Sequence, residues 1–339
     1  MDTEILNNLI SFNTSGDNSN FGLIEYVQNC LKPLGFIIKI IKVGDQSNLF
    51  AYKNCLSPRI ILAAHTDTVA VGDGWKSDLL LAKIDRNKIF GLGSCDTKSF
   101  ISMMLEVARR YQKKKNLALL LTFGEENDFG GAKLIGKSII RPKDMVIVGE
   151  PTDCQVVTSA KGVAAYSVEF TGKEAHGSEP SKGVSAIKST AEFIESLKGT
   201  SMFINFGKIK GGTASNVVPK NCTLGMEIRY SNSNEIVDIE NRMKAVALES
   251  SSRVRIKKLF DIPAFDAGDE VNSIICYRNV DQGSKVSFCS EANLYSKLTK
   301  NCIILGPGNI KDAHKSNEFV RISRIKKCQR ILNKLIRSL

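Results

Sequence analysis

The stretch "RIILAAHTDTV", residues 59–69, reads as a buried strand of branched and small apolar residues that ends in a histidine, with an aspartate two positions further on. The chain of 339 residues holds only three histidines, so one placed at the end of an apolar run calls for a physical reason. Two are open: a hydrogen-bonded core histidine, or a metal ligand held in one orientation by its neighbouring carboxylate. Ligands of open α/β sheets bind beyond the carboxyl ends of the strands. The sequence on either side therefore has to say whether such a sheet is present.

On either side of this stretch, strands alternate with helices. A helical period runs from Asp2 to Leu31, broken at the polar "TSGDNSN" (residues 14–20), and is followed by the strand-like "GFIIKIIKV" (35–43) and "NLFAYK" (48–53). Beyond the opening stretch, "GLGSCDTKS" (91–99) leads into a helix predicted from near Thr97 to about Gln112. "LALLLTFGEE" (117–126) and "DMVIVGE" (144–150) are further buried strands, with a helix predicted between them over "GGAKLIGKS" (130–138). Near-continuous apolar strands separated by helices indicate an α/β domain with a largely parallel sheet.

The pattern changes after residue 161. "VAAYSVEFTG" (163–172) alternates as a strand with one wet face does, and "GVSAIKSTAEFIESLKG" (183–199) is helical. "MFINFGKIKGG" (202–212) and "NCTLGMEIRY" (221–230) form a strand pair, "NEIVDIENRMKAVALES" (234–250) is helical, and "RVRIKKLF" (253–260) is a strand. The order β-α-β-β-α-β is the split, ferredoxin-like unit and fits an insertion over residues 162–261. Residues 1–161 and 262–339 then form one discontinuous domain, closed by the buried strand "NCIILGPG" (301–308) and a terminal helix.

Composition narrows the function classes. An apolar content of 42% with 24% charged residues belongs to an ordinary globular protein. No run of about 18 apolar residues is present, and the N-terminus lacks the basic and apolar stretches of a signal peptide, so the expected location is cytoplasmic, without a membrane partner. The nine cysteines are scattered singly, an odd number that fits a reducing compartment; Cys95 alone falls in a motif and reads as a small buried thiol. The net charge of +12 raises the question of nucleic acid. The basic residues are dispersed, however, with modest clusters at residues 109–115, 253–259 and 321–337 and no recognition motif beside them, so no nucleic-acid partner is expected. The last cluster is an amphipathic helix with Ile322, Ile325, Cys328, Ile331, Leu332 and Leu335 on one side and a solvated basic face on the other.

Four predicted strands end in, or lead to, potential ligands: His65, then Glu125 and Glu126, then Glu150, and His314 in "GPGNIKDAH". Asp96 arrives from the glycine-rich loop "GLGSCD". By itself the "EE" pair is equally well an exposed acidic strand end. Two histidines with three or four carboxylates at one sheet edge exceed the needs of a single ion, and suit a pair of Zn²⁺-like ions sharing a bridging carboxylate.

Together, "HTDTV", "GLGSCDTK", "EE", "GEPT", "TGKEAHGSEPSKGVSAI", "GGTASNVVP", "EIR" and "GPG…AH…NE" resemble, in order and interval and over essentially the whole chain, the M20-type dinuclear zinc amidohydrolases. That family includes acetylornithine deacetylases, succinyl-diaminopimelate desuccinylases and carboxypeptidase G2. The resemblance implies a zinc-peptidase-like catalytic domain carrying an inserted ferredoxin-like lid and dimerisation domain, in a homodimer. It implies His65 and Glu150 on one metal, Glu126 and His314 on the other, and Asp96 bridging. Asp67 would fix the tautomer of His65, and Glu125 would act as general base and then acid. It further implies that His176 reaches an active site, usually the partner subunit's, as an oxyanion stabiliser, and that Asn216 and Arg229 hold the substrate. Zn²⁺ is the expected ion, with Co²⁺ or Mn²⁺ also accepted by such ligands.

Within the family the opening and closing segments resemble the acetylornithine deacetylase branch most, including "SEA" at residues 290–292. The implied reaction is hydrolysis of the amide of N2-acetyl-L-ornithine to L-ornithine and acetate, in arginine synthesis. The alternatives are a desuccinylase or other N-acyl-amino-acid deacylase, and a family member that binds metal without turnover. Glu291 is the carboxylate that would meet a cationic ornithine side chain, or else a structural acid. The chain departs from the family at Ser99, where glycine is usual, in a shortened connection near residues 198–202, and in its basic character.

Overall fold

The strand that ends in the first histidine, β3 (Ile60–His65), is buried at every position. Its N-terminal end is fixed by an ion pair in the interior. The guanidinium of Arg59 meets Asp144 at 2.6 Å, its Nη2 also donates to the Ile139 carbonyl at 2.6 Å, and Asp144 accepts the backbone N–H of Arg59 at 2.9 Å. These two residues precede β3 and β7 (Met145–Val148), so one buried contact sets the starting points of two neighbouring strands.

The computed structural model describes residues 3–54, 58–200, 202–269, 271 and 282–338; Asp2, where the first helical period begins, lies outside them. The chain forms two units: Met1–Ser159 with Asp266–Lys285 and Ser290–Leu339, and Ala160–Phe265 with Val286–Cys289. The short strands β8 (Ser159–Ala160) and β13 (Phe265–Asp266) lie where the chain passes from one to the other.

In the first unit, β1 (Ile37–Val43), β2 (Gln46–Tyr52), β3, β6 (Leu117–Thr122), β7 and β14 (Cys302–Ile304) form a sheet in the order β1-β2-β6-β3-β7-β14. The pairs β6·β3, β3·β7 and β7·β14 are parallel, whereas β1·β2 and β2·β6 are antiparallel. The central strands are apolar throughout because both faces are covered. Helices α1 (Thr3–Ser11), α2 (Phe21–Leu31) and α3 (Lys98–Arg110) and the terminal helix Ile322–Ser338 cover one face, where Leu6, Leu9, Leu23, Val27, Met104, Cys328, Leu332 and Leu335 share a core with Ile60, Leu62, Leu119 and Ile147; on the opposite face Ile61, Leu120 and Val146 are buried as well. A second sheet, β15-β5-β4, joins β4 (Lys83–Asp85), β5 (Lys88–Phe90) and β15 (Phe319–Arg321). The terminal helix keeps the expected division, Ile325, Cys328, Leu332 and Leu335 being buried.

Two local expectations are revised. The helix over residues 130–138 shrinks to α4 (Gly130–Lys133). Its two glycines have no propensity to extend it, and Gly131 is pressed so closely onto Phe123 that a Cβ would lie 2.6 Å from the Phe123 backbone. Ser99, where glycine was expected, is fully buried at the start of α3 without breaking it.

The second unit holds β9 (Gly162–Thr171), α5 (Ala186–Ser196), β10 (Phe203–Gly211), β11 (Asn221–Tyr230), α6 (Ser233–Glu249) and β12 (Arg253–Ile262). Its sheet order β10-β11-β9-β12, antiparallel throughout, is that of the split β-α-β unit. Ser185 caps α5 by accepting from the N–H of Lys188, and Asn232 caps α6 in the same way from Asn234 and Glu235. Phe170, Phe193, Met226, Ile239 and Met243 build its own core. Among the described residues no helix is long and apolar enough to cross a membrane.

Removing one partner of the Arg59–Asp144 pair leaves a buried charge unpaired, so Asp144→Asn is expected to lower stability by about 3–5 kcal/mol. Burial raises the Asp144 pKa, but the Arg59 side chain and the N–H groups of Arg141 and Arg59 outweigh it and hold it below the usual carboxylate range. The contribution is therefore present above the unfolded value and lost as pH falls through the folded one. Thermal melts should show a large gap between wild type and variant at neutral pH that closes in acid. A gap that persists unchanged into acid contradicts this.

Candidate metal centre

The parallel register brings the ends of β3, β6 and β7 side by side. His65 is paired with Thr122, and the N–H of Gly149 donates to the Ala63 carbonyl at 2.8 Å, so the residues after each strand emerge at one edge. After β6 the chain turns at Gly124, whose carbonyl accepts from Asp128 and Phe129, and this turn presents Glu125 and Glu126. After β7 comes Glu150. Gly306 packs against it so tightly that a Cβ there would lie 2.1 Å from the Glu150 carbonyl oxygen, which only glycine permits.

His65 is buried, and its Nδ1 lies 3.0 Å from the backbone carbonyl of Asp67. A carbonyl only accepts, so Nδ1 carries the hydrogen and the lone pair of the neutral ring sits on Nε2, which faces Asp96 Oδ1 at 3.0 Å. The tautomer is thus set by the main chain of Asp67, whose carboxylate stands further off at 3.8 Å. That carboxylate has a different task from the one expected of it. Its two oxygens accept the backbone N–H groups of Glu125 at 3.2 Å and Glu126 at 3.0 Å.

His314, in a left-handed backbone conformation, points Nε2 at Glu126 Oε1 (2.9 Å) and Asp96 Oδ2 (3.3 Å). Asp96 therefore faces a histidine with each oxygen. Three sets of ligand atoms lie within 4.8 Å of one another: His65, Asp96 and Glu150; Asp96, Glu126 and His314; and His65, Glu125 and Glu126.

Burial raises the pKa values of Glu125 and Glu150 well above the carboxylate range and that of Glu126 above it, with neighbouring carboxylates adding to the effect. Burial acts the same way on Asp96, but its contacts with His314 and His65 win and hold it far below that range. Burial opposes protonation of His65, yet the carboxylates around it, Asp96 first, keep its pKa well above the ordinary value. His314 is raised to about 10, chiefly by Asp96 and then Glu126. Glu150 Oε1 is buried without a hydrogen-bond partner among the described residues. A buried acceptor with no donor, beside three other carboxylates and two imidazole nitrogens, is an O/N donor set that fits hard to borderline divalent cations.

Glu291 is a correction. It is fully buried, accepts from the Thr122 hydroxyl with Tyr295 beside it, and is raised to about 7 by burial. It has no exposed surface to offer a ligand's ammonium in this structure, and its Oε2, like Glu150 Oε1, is buried without a hydrogen-bond partner among the described residues. In the second unit, His176 pairs with Ser178, Nδ1 to Oγ at 2.7 Å, and the N–H of Gly177 donates to the Asn216 carbonyl at 2.7 Å, which holds the His176 and Asn216 loops together. The Arg229 guanidinium already has a carboxylate partner, Glu227, at 2.8 Å on its own strand. One residue had been given no role: Glu318, buried and in contact with the Asp96 loop. Its signal was the "NE" (Asn317-Glu318) that closes the last motif of the resemblance, to which no task had been attached.

Comparison with known proteins agrees with this geometry. The model of Peptidase family M20/M25/M40 matches residues 61–338. An acetylornithine deacetylase of Buchnera aphidicola subsp. Acyrthosiphon pisum (strain Tuc7) is 30% identical, over 94% of this chain and 91% of that one. Among solved structures, a tripeptidase from Staphylococcus aureus superposes with a TM-score of 0.82 at 22% identity, covering 98% of this chain and 96% of that one. The Bacillus subtilis YXEP protein, a dinuclear metal binding peptidase, superposes with a TM-score of 0.75 at 11% identity over 98% and 96%. The two structures share the fold, the sequence match covers the strands and loops that carry the donor cluster, and the chain belongs to Peptidase family M20/M25/M40 as a metal-dependent hydrolase.

Proposed function

We propose that the chain hydrolyses the amide of N2-acetyl-L-ornithine, releasing L-ornithine and acetate, with two divalent ions of the Zn²⁺ or Co²⁺ type. The observation that carries the proposal is the position of Asp96, whose two oxygens face His65 and His314 separately. In this reading His65 and Glu150 hold one ion, Glu126 and His314 the other, and Asp96 is shared. Four carboxylates, those of Asp96, Glu125, Glu126 and Glu150, meet at the site, and two divalent cations would balance their charge. The choice of substrate rests on the acetylornithine deacetylase similarity across the chain.

The ions would supply Lewis acidity, acidifying a water and polarising the acyl oxygen. The remaining work falls to side chains. Glu125 retains 9% of its surface, and its backbone is pinned by Asp67, so its carboxyl group sits beside the ligands in a fixed place. It takes a proton from the attacking water as the carbon–oxygen bond forms, and returns it to the amine nitrogen as the carbon–nitrogen bond breaks. His176 and Asn216 are assigned to substrate polar groups, in a homodimer where the second unit of one subunit serves the centre of its partner. That assignment is supported by their paired loops and by the family pattern of the motif.

The activity test is amine release from N2-acetyl-L-ornithine, succinyl-diaminopimelate, N-acetylmethionine and a tripeptide by the metal-loaded chain. Acetylornithine should lead, and Glu125→Gln should cost about 10²- to 10⁴-fold in kcat while metal content is unchanged. Preference for the tripeptide overturns the substrate, and an active Glu125→Gln overturns the base. Metal binding gives a separate check. Because Asp96 and its neighbours hold protons on His65 and His314 in the metal-free chain, ions must displace them, so affinity should rise with pH. Calorimetry at pH 7 in buffers of different ionisation enthalpy should show net proton release. A binding heat independent of the buffer speaks against these two histidines as ligands.

A further inference from the structure

Glu318 is 2% exposed and lies four positions after His314. Its Oε1 accepts the backbone N–H groups of Cys95 at 2.7 Å and Asp96 at 3.0 Å, and its Oε2 accepts that of Gly93 at 3.1 Å. Its own carbonyl accepts from Gly91 at 3.1 Å. One residue therefore engages the loop 91–96 at four of its six amides, and then enters β15, which pairs with β5 just before that loop. On the other side, the buried ammonium of Lys98 donates to the Phe12 carbonyl at 2.8 Å, so the start of α3 is fixed from both directions.

We propose that Glu318 is a positioning residue for the metal centre: by gathering the amides of Gly93, Cys95 and Asp96 it holds the Asp96 carboxylate between His65 and His314. The inference rests on the reading of Asp96 as the shared ligand. A turn of successive amides needs an acceptor when buried, and water cannot reach this one. A carboxylate provides two oxygens for three donors, which a neutral amide cannot, since its NH₂ group would face the N–H of Gly93. Glu318 touches neither substrate nor ion in this scheme. It acts through the backbone on one ligand, and because that ligand is common to both ion sites, both should weaken together.

The test is Glu318→Gln in the full chain, stripped of metal and titrated with Co²⁺, following its visible absorption and competition with a chromophoric chelator. The expected result is a loss of about 10- to 100-fold in affinity for both ions, with a changed Co²⁺ spectrum. Asp144→Asn is the control for general destabilisation. It lies at the opposite end of the strands, so it should lower the melting temperature and leave Co²⁺ affinity unchanged. If the glutamine variant does not fold, Glu318→Asp, which keeps the charge and withdraws the oxygens by one methylene, is read by the same criteria. Wild-type affinity for both ions in a folded variant overturns the proposal, as does a loss confined to one ion. A wild-type chain that binds no Co²⁺ overturns the reading of the centre on which it rests.

Discussion

The structure depends on keeping four carboxylates and two imidazoles together at the edge of an apolar sheet. Like charges at such spacing repel, and burial penalises every ionised form. The chain meets this with a second layer of acids whose charge is spread over backbone amides. Asp67 takes the N–H groups of Glu125 and Glu126, and Glu318 takes those of Gly93, Cys95 and Asp96. Each inner carboxylate whose chain is gripped in this way has its position set by the main chain, so its side chain stays free to face a cation.

Topology supplies the rest. Chain order runs β3, β6, β7, β14, whereas spatial order is β6-β3-β7-β14, which puts the earliest of these strands in the middle. Neighbouring strands lie about 4.8 Å apart, so residues at the ends of β6, β3 and β7 converge without long side chains. His314 reaches the cluster from the loop after β14, with its backbone in the left-handed region. The Arg59–Asp144 pair sets the opposite end, so stability and chemistry sit at opposite edges of one sheet.

Much of this was legible in the residues. His65 stood out because an apolar run has no use for an imidazole at its end, and Asp96, Glu125, Glu126, Glu150 and His314 each followed a strand or a glycine-rich loop. The split β-α-β order could be read from alternation alone. What could not be read was which atom of a residue does the work. Asp67 was expected to orient His65 with its carboxylate, and it does so with its carbonyl, because the side chain is drawn to the amides of Glu125 and Glu126. Glu291 sits in a polar, charged-looking segment, and nothing in "SEA" tells an acid buried against Thr122 from one lining a pocket. Glu318 stood in the quoted "NE" but went without a role, since spacing alone does not tell a carboxylate that gathers main-chain amides from a surface acid.

In the proposed centre Asp96 is shared by two ions, one beside His65 and Glu150 and the other beside Glu126 and His314. Anomalous diffraction at the zinc edge from crystals of the zinc-loaded protein tests it directly. Two peaks flanking the Asp96 carboxylate, each next to one histidine, are expected. A single peak, or peaks that leave Asp96 out of the coordination of either ion, would contradict it.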